Sequence, residues 1–309
     1  MQVVHSNSAF DAPREKLLRY FSRGDLFFSR DTHLCFVCGA AGDHVPETGQ
    51  RSLRSLFVAH VAGRTDNKIT CVRAETAATA LLRQIDARGQ NISVFEKTIA
   101  ETVDSVLIFP ESPGSFAELG YFSAHDQIAK KCLVAVRAKH QTNSFITLGP
   151  VHAISRVSNF SPVPIALADP PDEQMAQIAS RLLGDGEQKR TYRQRFQRQP
   201  WREYDSRQQL ALIDEIVDLI GAVTEVDLQH SIQAIFEHYD VSKLRLQLSI
   251  LVATGRVIRN DDGDIFSRPR ATSFVQQKSQ DNLAVKAAWR RAFELHDPEA
   301  LRELNEAQQ

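Results

Sequence analysis

The sequence predicts a doubly wound, mainly parallel α/β domain followed by a smaller, largely helical domain. Between residues 31 and 186, short and continuously apolar runs alternate with amphipathic helical stretches. This pattern is typical of a parallel sheet covered by helices on both faces. A basic, polar stretch at 187–207 interrupts the pattern. From 208 to 270, three helical segments are followed by two β-rich arms.

The composition limits the class of protein. With 309 residues the chain has room for two domains, and its 42% hydrophobic and 24% charged residues are typical of globular proteins. No run of about 18 apolar residues could span a membrane, and the first residues lack the pattern of a secretion signal. We therefore expect a cytoplasmic protein with no membrane contact. Because the net charge is −1, nucleic-acid binding would need a local basic patch.

Each element of the first domain is predicted from its local pattern. Residues 1–30 form an N-terminal helical arm, in which Leu17, Leu18 and Phe21 have helical spacing. Apolar runs predict strands at 33–38, 68–73, 92–95, 106–109, 132–136 and 163–167. Amphipathic stretches predict helices at 50–63, 75–88, 96–103, 115–129 and 172–183.

Four cysteines raise the question of a metal site. Cys35 and Cys38 form a C-x-x-C pair, but they lie three residues apart in a predicted strand and therefore point to opposite faces. No second such pair, and no pair of histidines, completes a zinc set. We expect free, buried thiols and no bound metal.

The basic connector at 187–207 allows two interpretations. Lys and Arg side chains are interleaved there with Tyr192, Phe196, Trp201 and Tyr204. The connector is either a solvated linker or a contact for a polyanion, with arginines on phosphates and aromatic rings stacked on unpaired bases. In the second case the candidate nucleic-acid-binding residues are Arg193, Arg195 and Arg198.

The next segment, 208–270, resembles a winged helix-turn-helix domain, because three helices and a hairpin follow one another within about 60 residues. Such a domain serves either for nucleic-acid contact or for protein docking. The resemblance implies outward-facing polar residues on the third helix, namely Lys243, Arg245, Gln247 and Ser249, and on the wing, namely Arg256, Arg259 and Arg268. A C-terminal tail at 271–309 is predicted to form two helices, broken near Pro298.

The stretch FPESPGSFAELG at 109–120 carries the chemistry. A buried strand ends there, small residues turn the chain, and a helix begins near Ser115. The backbone N–H groups of Gly114 and Ser115 would favour an anionic ligand, and the carboxylate of Glu118 would lie beside it. Alternatively, Ser115 and Glu118 form an S-x-x-E capping box that needs no ligand.

The same stretch resembles the nucleoside 2-deoxyribosyltransferases, whose hallmark is an Asp before an apolar strand followed by D-x-G-T-x-x-E-[IL]-G-[YF]-A. It is also similar to the related phosphoribohydrolases with P-G-G-x-G-T-x-x-E. The resemblance implies that Glu118 is the nucleophile and that Asp104 orients the substrate. Ser112 stands where the family has Asp, so hydrolysis is favoured over base exchange, and Glu111 is a candidate for the missing carboxylate.

The candidate substrate-binding residues follow from the same alignment of motifs. They are Gly39 in the first strand-to-helix turn, Ser112, Gly114 and Ser115 in the loop, and Tyr121 three residues after Glu118. Tyr121 either holds Glu118 or packs as an ordinary aromatic residue.

The combination of the two domains resembles the effectors encoded beside retron reverse transcriptases. The resemblance implies a toxin that cleaves the N-glycosidic bond of a cellular nucleotide, with NAD⁺ as the leading candidate and no cofactor. It also implies that a reverse transcriptase and its multicopy single-stranded DNA/RNA hold the toxin in check, and we expect a homo-oligomer or a higher assembly. The alternative is a catalytically silent nucleotide sensor that binds DNA as a transcription regulator.

Overall fold

The computed structural model describes residues 8–43, 45, 49–66, 68–82, 92–137, 144–166, 170–184, 193–237, 240–270, 272–277 and 281–309. The chain divides into two compact units. Unit 2 contains residues 32–76 and 90–190, and unit 1 contains residues 1–31, 77–89 and 191–309. No helix in the described ranges is both long and apolar enough to cross a membrane.

The strands, in chain order, are β1 (Leu26–Ser29), β2 (His33–Cys38), β3 (Ile69–Val72), β4 (Ser105–Ile108), β5 (Cys132–Arg137), β6 (Val163–Ile165), β7 (Arg193–Arg195), β8 (Ala222–Val223), β9 (Val257–Arg259), β10 (Ile265–Ser267) and β11 (Val275–Gln277). The α-helices are α1 (Asp11–Ser22), α2 (Leu53–Ala62), α3 (Ala74–Leu82), α4 (Ile92–Thr102), α5 (Pro113–Ser123), α6 (Asp126–Ala129), α7 (His152–Val157), α8 (Asp172–Leu183), α9 (Ser206–Ile220), α10 (Glu225–Phe236), α11 (Val241–Ala253), α12 (Asp281–His296) and α13 (Pro298–Ala307).

Unit 2 is built on a five-stranded parallel sheet in the order β3-β2-β4-β5-β6. Its central strands are buried along their whole length, as expected for apolar runs with no polar alternation. The chain proceeds from β2 outward to β3 and then returns to β4 on the other side of β2. The strand order therefore reverses between β2 and β4. The predicted α/β class with a parallel sheet is confirmed.

Helices cover both faces of this sheet. On one face, Val37 and Leu107 pack with Phe57 of α2 and Ile178 of α8 in one apolar cluster. On the other face, Phe36 contacts Phe122 of α5, with ring centroids 6.1 Å apart. Successive residues of a strand point to opposite faces, so β2 contributes to both cores. Each fully buried side chain of this size stabilises the fold by roughly 1.5–3 kcal/mol.

The strand predicted at 92–95 is wrong, because Ile92 begins helix α4. Phe95, Ile99 and Thr102 are buried, and their spacing of four and three residues is that of one helical face. Ile92 and Val94 are 56% and 57% exposed, so the apolar run ISVF is not a buried strand. A four-residue apolar run does not distinguish a strand from the start of a helix.

Unit 1 joins both ends of the chain. The three-stranded antiparallel sheet β11-β1-β7 pairs Leu26–Ser29 from the N-terminal part with two strands that follow residue 192. Helix α1 packs on α12. The predicted division into five successive segments stays a prediction, and the structure adds that the N-terminal helix and strand belong to the same compact unit as residues 193–309.

The three helices predicted at 208–270 are α9, α10 and α11, and the hairpin is β9–β10. The two-residue strand β8 adds to β10 and completes a small antiparallel sheet. The helix break predicted near Pro298 is also observed, since α12 ends at His296 and α13 begins at Pro298.

Three aromatic residues of the connector, those that the structure describes, are not available for stacking on bases. Phe196, Trp201 and Tyr204 are 2–4% exposed and pack in one aromatic cluster with Phe236. Tyr192 lies outside the described residues. Within residues 193–204, the aromatic side chains are therefore buried and the arginines are exposed. A polyanion that contacts this stretch would meet its arginines.

Candidate active site

The candidate site lies at the carboxyl ends of β2 and β4. Strand β2 ends at Cys38 and β4 at Ile108, and the strand order of the sheet reverses between these two neighbours. In open parallel sheets, ligands bind outside the carboxyl ends of the strands at this reversal. The loop after β4 leads directly into α5, which carries Glu118.

The first turn of α5 is closed by its own serines. Ser112 is the N-cap, and its Oγ accepts the N–H of Ser115. The Oγ of Ser115 accepts the N–H groups of Glu111 and Ser112, at 3.0 and 2.9 Å. Pro113 occupies the first helical position, where its missing N–H costs nothing. The helix therefore begins two residues before the predicted start, and the capping box is Ser112/Ser115 rather than Ser115/Glu118.

Glu118 is consequently not needed to cap the helix. It is the sixth residue of α5, well inside the helix. Its Oε2 atom is buried and has no hydrogen-bond partner among the described residues. A buried carboxylate oxygen without a donor is costly, so this atom is available to a bound ligand.

The surroundings of Glu118 favour its neutral form. Burial, and after it the nearby charge of Glu96, raise the pKa of Glu118 to about 8. The Cys38 thiol donates a hydrogen bond to the Glu118 carboxylate, and the Arg54 guanidinium attracts it; both lower the pKa. Burial and Glu118 together hold the pKa of the Cys38 thiol well above its usual range, so this thiol stays protonated and remains a donor.

Three glutamates and one arginine determine the charge of the site. Arg54, in the first turn of α2, is 8% exposed and makes a two-pronged ion pair with Glu75 of α3, with N–O distances of 3.0 and 3.2 Å. Burial and the charge of Glu75 raise the pKa of Glu96 on α4. These four groups are three carboxyls and one cation, so a positively charged group bound beside Glu118 would stabilise the ionised form of that carboxyl.

Glu111, predicted as a candidate for the missing carboxylate, has both oxygens engaged in hydrogen bonds within the fold. It is 7% exposed, and its two oxygens accept the N–H groups of Ala40, Leu53 and Arg54 and the hydroxyl of Ser52 at 2.9–3.3 Å. These donors belong to the loop after β2 and to the N-terminus of α2, where a carboxylate is favourable. Glu111 therefore fixes α2 to the β4–α5 loop.

Asp104 is also hydrogen-bonded within the fold. It precedes β4, and its Oδ2 accepts the N–H of Leu34 at 2.9 Å while its own N–H donates to the carbonyl of Leu34 at 2.9 Å. It thus joins the beginnings of β2 and β4. A strand rises about 3.3 Å per residue, so the four residues of β4 separate Asp104 from the loop before α5. Asp104 therefore lies at the other end of β4 from the loop before α5, and its role in orienting the substrate stays a prediction.

The predicted substrate-binding residues fall into two groups. Gly39 is required by close packing, because a Cβ there would come within 2.7 Å of Arg54 Cβ and 3.0 Å of Glu111 Oε1. Ser115 is 1% exposed and fully used within the turn. Gly114 is exposed and Ser112 is partly exposed at the start of α5. Tyr121 contacts His125, with ring centroids 4.5 Å apart, which supports the packing interpretation.

Sequence reasoning missed Cys38, Arg54, Glu75 and Glu96 as site residues. Arg54 and Glu75 lie in the first turns of the helices that follow β2 and β3, so the rule that ligands bind at carboxyl strand ends could have identified them. The sequence predicts that a helix begins at Glu96, after the incorrect strand at 92–95, whereas α4 begins at Ile92. Cys38 was considered only as half of a C-x-x-C pair.

The four cysteines are free, and Cys35, Cys38 and Cys132 are buried, as predicted. Within the described ranges, no group of three or more His, Cys, Asp or Glu side chains is arranged to hold a metal ion.

The candidate nucleic-acid-binding residues fall into three groups, which are exposed, paired with a carboxylate, or buried. Arg193, Arg195, Arg198, Lys243 and Arg268 are exposed. Arg245 and Arg259 both pair with Glu225, at 2.6 and 3.3 Å. The outward positions predicted for Gln247, Ser249 and Arg256 are wrong, since these residues are 2%, 0% and 9% exposed.

The helix period explains this error. Residues 243, 245, 247 and 249 are spaced by two, and each step of two residues rotates by about 200° around a helix. Such a set cannot share one helical face. Gln247 instead donates to Ser206 O and Gln209 Oε1 at 3.3 and 3.2 Å, and Arg256 forms a two-pronged ion pair with Asp214.

Comparison with known proteins places this architecture in a family. A model of the STM3845 retron effector protein matches residues 50–259, which is more than half of the chain. The chain is 42% identical over 67 residues to the retron Ec86 putative ribosyltransferase/DNA-binding protein of Escherichia coli, covering 21% of this chain and 22% of that protein. It is 30% identical over 127 residues to the retron Ec73 putative ribosyltransferase/DNA-binding protein of the same organism, covering 41% and 39%. The aligned regions thus span less than half of these relatives. By the extent of the family match, the chain belongs to the STM3845 retron effector family.

Proposed function

We propose that this retron effector is a toxin with N-glycosidase activity, which cleaves the N-glycosidic bond of a cellular nucleotide through Glu118. The observation that carries the proposal is the buried, unbonded Oε2 of Glu118 at the reversal point of the sheet. The names of the two Escherichia coli relatives, which combine ribosyl transfer with DNA binding, agree with this chemistry.

NAD⁺ is the leading candidate substrate, and the charges of the site support it. Its nicotinamide ring carries a positive charge that is lost when the glycosidic bond breaks. A cation near Glu118 would lower the pKa of that carboxyl, so the substrate itself would promote ionisation of the nucleophile. A neutral nucleoside gives no such help in a site with more carboxyls than cations.

The proposed reaction has two steps. The Glu118 carboxylate attacks the anomeric carbon, the bond to the base breaks, and its electron pair leaves with the base, which gives a glycosyl ester. Water then attacks the same carbon, transfers its proton to a neighbouring carboxylate, and releases Glu118. We assign the proton acceptor to Glu96, because its charge acts directly on Glu118. Ser112 in place of the family Asp favours water over a second base as acceptor.

The C-terminal half would regulate this activity. In this proposal, a reverse transcriptase and its multicopy single-stranded DNA bind the winged helix-turn-helix and the connector, and they hold the toxin in check. The helix order α9, α10, α11 followed by the β9–β10 hairpin supports a winged helix. The exposed arginines of β7 and its vicinity support a contact with phosphates.

The test is direct. Purified protein is incubated with NAD⁺ and a panel of nucleotides and nucleosides, and the released base is measured by chromatography. We expect base release from NAD⁺, and we expect Glu118→Gln to lower kcat by on the order of 10³-fold or more. Glu101→Gln serves as a matched control, because Glu101 is an exposed residue of α4 whose carboxylate lies 3.8 Å from the Lys97 ammonium. Unchanged base release by a folded Glu118→Gln variant would overturn the assignment.

A second function is favoured by two specific observations. Ser112 replaces the family Asp, and burial and the charge of Glu96 raise the pKa of Glu118 to about 8. Both fit a nucleotide sensor that does not turn over its ligand and that regulates transcription. Saturable NAD⁺ binding by wild type without base release, together with sequence-specific binding of duplex DNA, would establish that function instead.

A further inference from the structure

Unit 1 contains a pocket of about 200 Å³ that none of the chemistry above uses. Its floor is apolar and comes from α1, α9, β8 and α12, with the residues Leu17, Ile220, Ala222, Val223 and Trp289. All five are at most 3% exposed. The mouth lies between α1 and α10, where Leu18, His230 and Ala234 are exposed.

Trp289, which lines the pocket, has an unused hydrogen-bond donor. Trp289 is 2% exposed, and its ring lies 5.9 Å from both Phe10 and Phe293. Its Nε1 is buried, and no acceptor among the described residues lies within hydrogen-bonding distance. An indole N–H can only donate, and buried donors in native proteins almost always have a partner. A ligand that brings an acceptor would satisfy it.

Four other polar residues line the pocket, namely Arg14, Asp227, His230 and Ser231. Two of them carry a full charge: Asp227, which is 4% exposed, and Arg14. The first disfavours an anion and the second a cation. The size of the pocket also excludes a helix or a strand of a partner protein, since a helix with its side chains is about 10 Å wide.

We propose that this pocket binds a small, neutral molecule with a single apolar ring and one hydrogen-bond acceptor, and that the acceptor bonds to Trp289 Nε1. The site is separate from the proposed chemistry of Glu118 and does not depend on it. Apolar pockets with one or two well-placed polar groups are the usual form of small-molecule sites.

Two probes of equal shape test the proposal on the full-length chain. Acetophenone has a ring and a carbonyl acceptor, and in α-methylstyrene a methylene group replaces that oxygen. Calorimetric titration should show saturable binding of acetophenone, with α-methylstyrene about three- to tenfold weaker because it lacks the acceptor. Trp289→Phe should abolish this preference. Ala234→Phe, at the exposed mouth, should block both probes without disturbing the core.

Three results would overturn the proposal. The first is that neither probe saturates wild type at millimolar concentration. The second is an unchanged preference for acetophenone in Trp289→Phe, with its fold verified by circular dichroism. If Trp289→Phe does not fold, undiminished binding to a folded Ala234→Phe variant would still show that the probes bind elsewhere.

Discussion

At the scale of single residues, the main feature is the cost of placing Glu118 where it is. Its raised pKa means that ionisation opposes folding. The stabilisation that its neutral form provides is present below the ordinary Glu value of 4.5 and is lost as the pH rises towards about 8. Structural carboxyls such as Glu111 avoid this cost by accepting several donors. A buried carboxyl oxygen without a donor, beside the carboxyl ends of the strands, is therefore a stronger indication of function than the motif alone.

The thiol of Cys38 should tune the pH dependence of the reaction. Because the nucleophile must be ionised, kcat/KM should rise with pH, with a midpoint near the Glu118 pKa of about 8. Cys38→Ala removes a donor that stabilises the ionised form, so the midpoint should move up by about 0.5–1 pH unit. Cys38→Ser introduces a stronger donor and should move it down.

The control for this measurement is Cys71→Ala, which removes another thiol of the same sheet from β3. Its profile should coincide with that of wild type. Coincident profiles for Cys38→Ala, Cys38→Ser and wild type would show that the thiol does not act on Glu118.

At the scale of elements, the strand-to-helix turns decide the geometry of the site. Much of this could be predicted from the sequence. The β4–α5 turn, its serines and Glu118 follow from an apolar run, small turn residues and a helical pattern. The roles of Asp104 and Glu111 could not be predicted in this way, because they depend on tertiary contacts with Leu34 and with the start of α2. The buried side of α11 was also misjudged, because a spacing of two residues was applied to a helix.

Glu111 should contribute more to the free energy of unfolding than a surface glutamate does. In Glu111→Gln, one acceptor oxygen becomes an NH₂ group that faces N–H and O–H donors. We expect the free energy of unfolding to fall by about 2–3 kcal/mol, measured by urea denaturation. Glu101→Gln should change it by less than about 0.5 kcal/mol. An equally small change for Glu111→Gln would contradict the assignment of Glu111 as the residue that fixes α2.

At the scale of the whole molecule, many charged side chains form ion pairs with near neighbours. The net charge is −1, and Arg256, which the sequence predicts on the outside of the wing, is paired inside unit 1 together with Arg270. Arg256 and Arg270 both bond to Asp214, and Arg270 also bonds to Glu215. The hydroxyl of Tyr20 donates to Glu215 at 2.6 Å, which links the N-terminal helix to the same network. These groups stabilise the unit and are not available to a polyanion.

Binding of single-stranded DNA should therefore depend on a small number of exposed cations. Lys243 on α11 and Arg268 after β10 are exposed and belong to the predicted winged helix. Each phosphate contact contributes about 0.7 to the slope of log affinity against log salt concentration for single strands. Lys243→Ala with Arg268→Ala should lower that slope by about 1.4, as measured by fluorescence anisotropy with labelled oligonucleotides at several salt concentrations. The control, Lys130→Ala with Arg156→Ala, removes the same charge from exposed positions of unit 2. An equal loss in both double variants would mean that the overall field, rather than the winged helix, attracts the DNA.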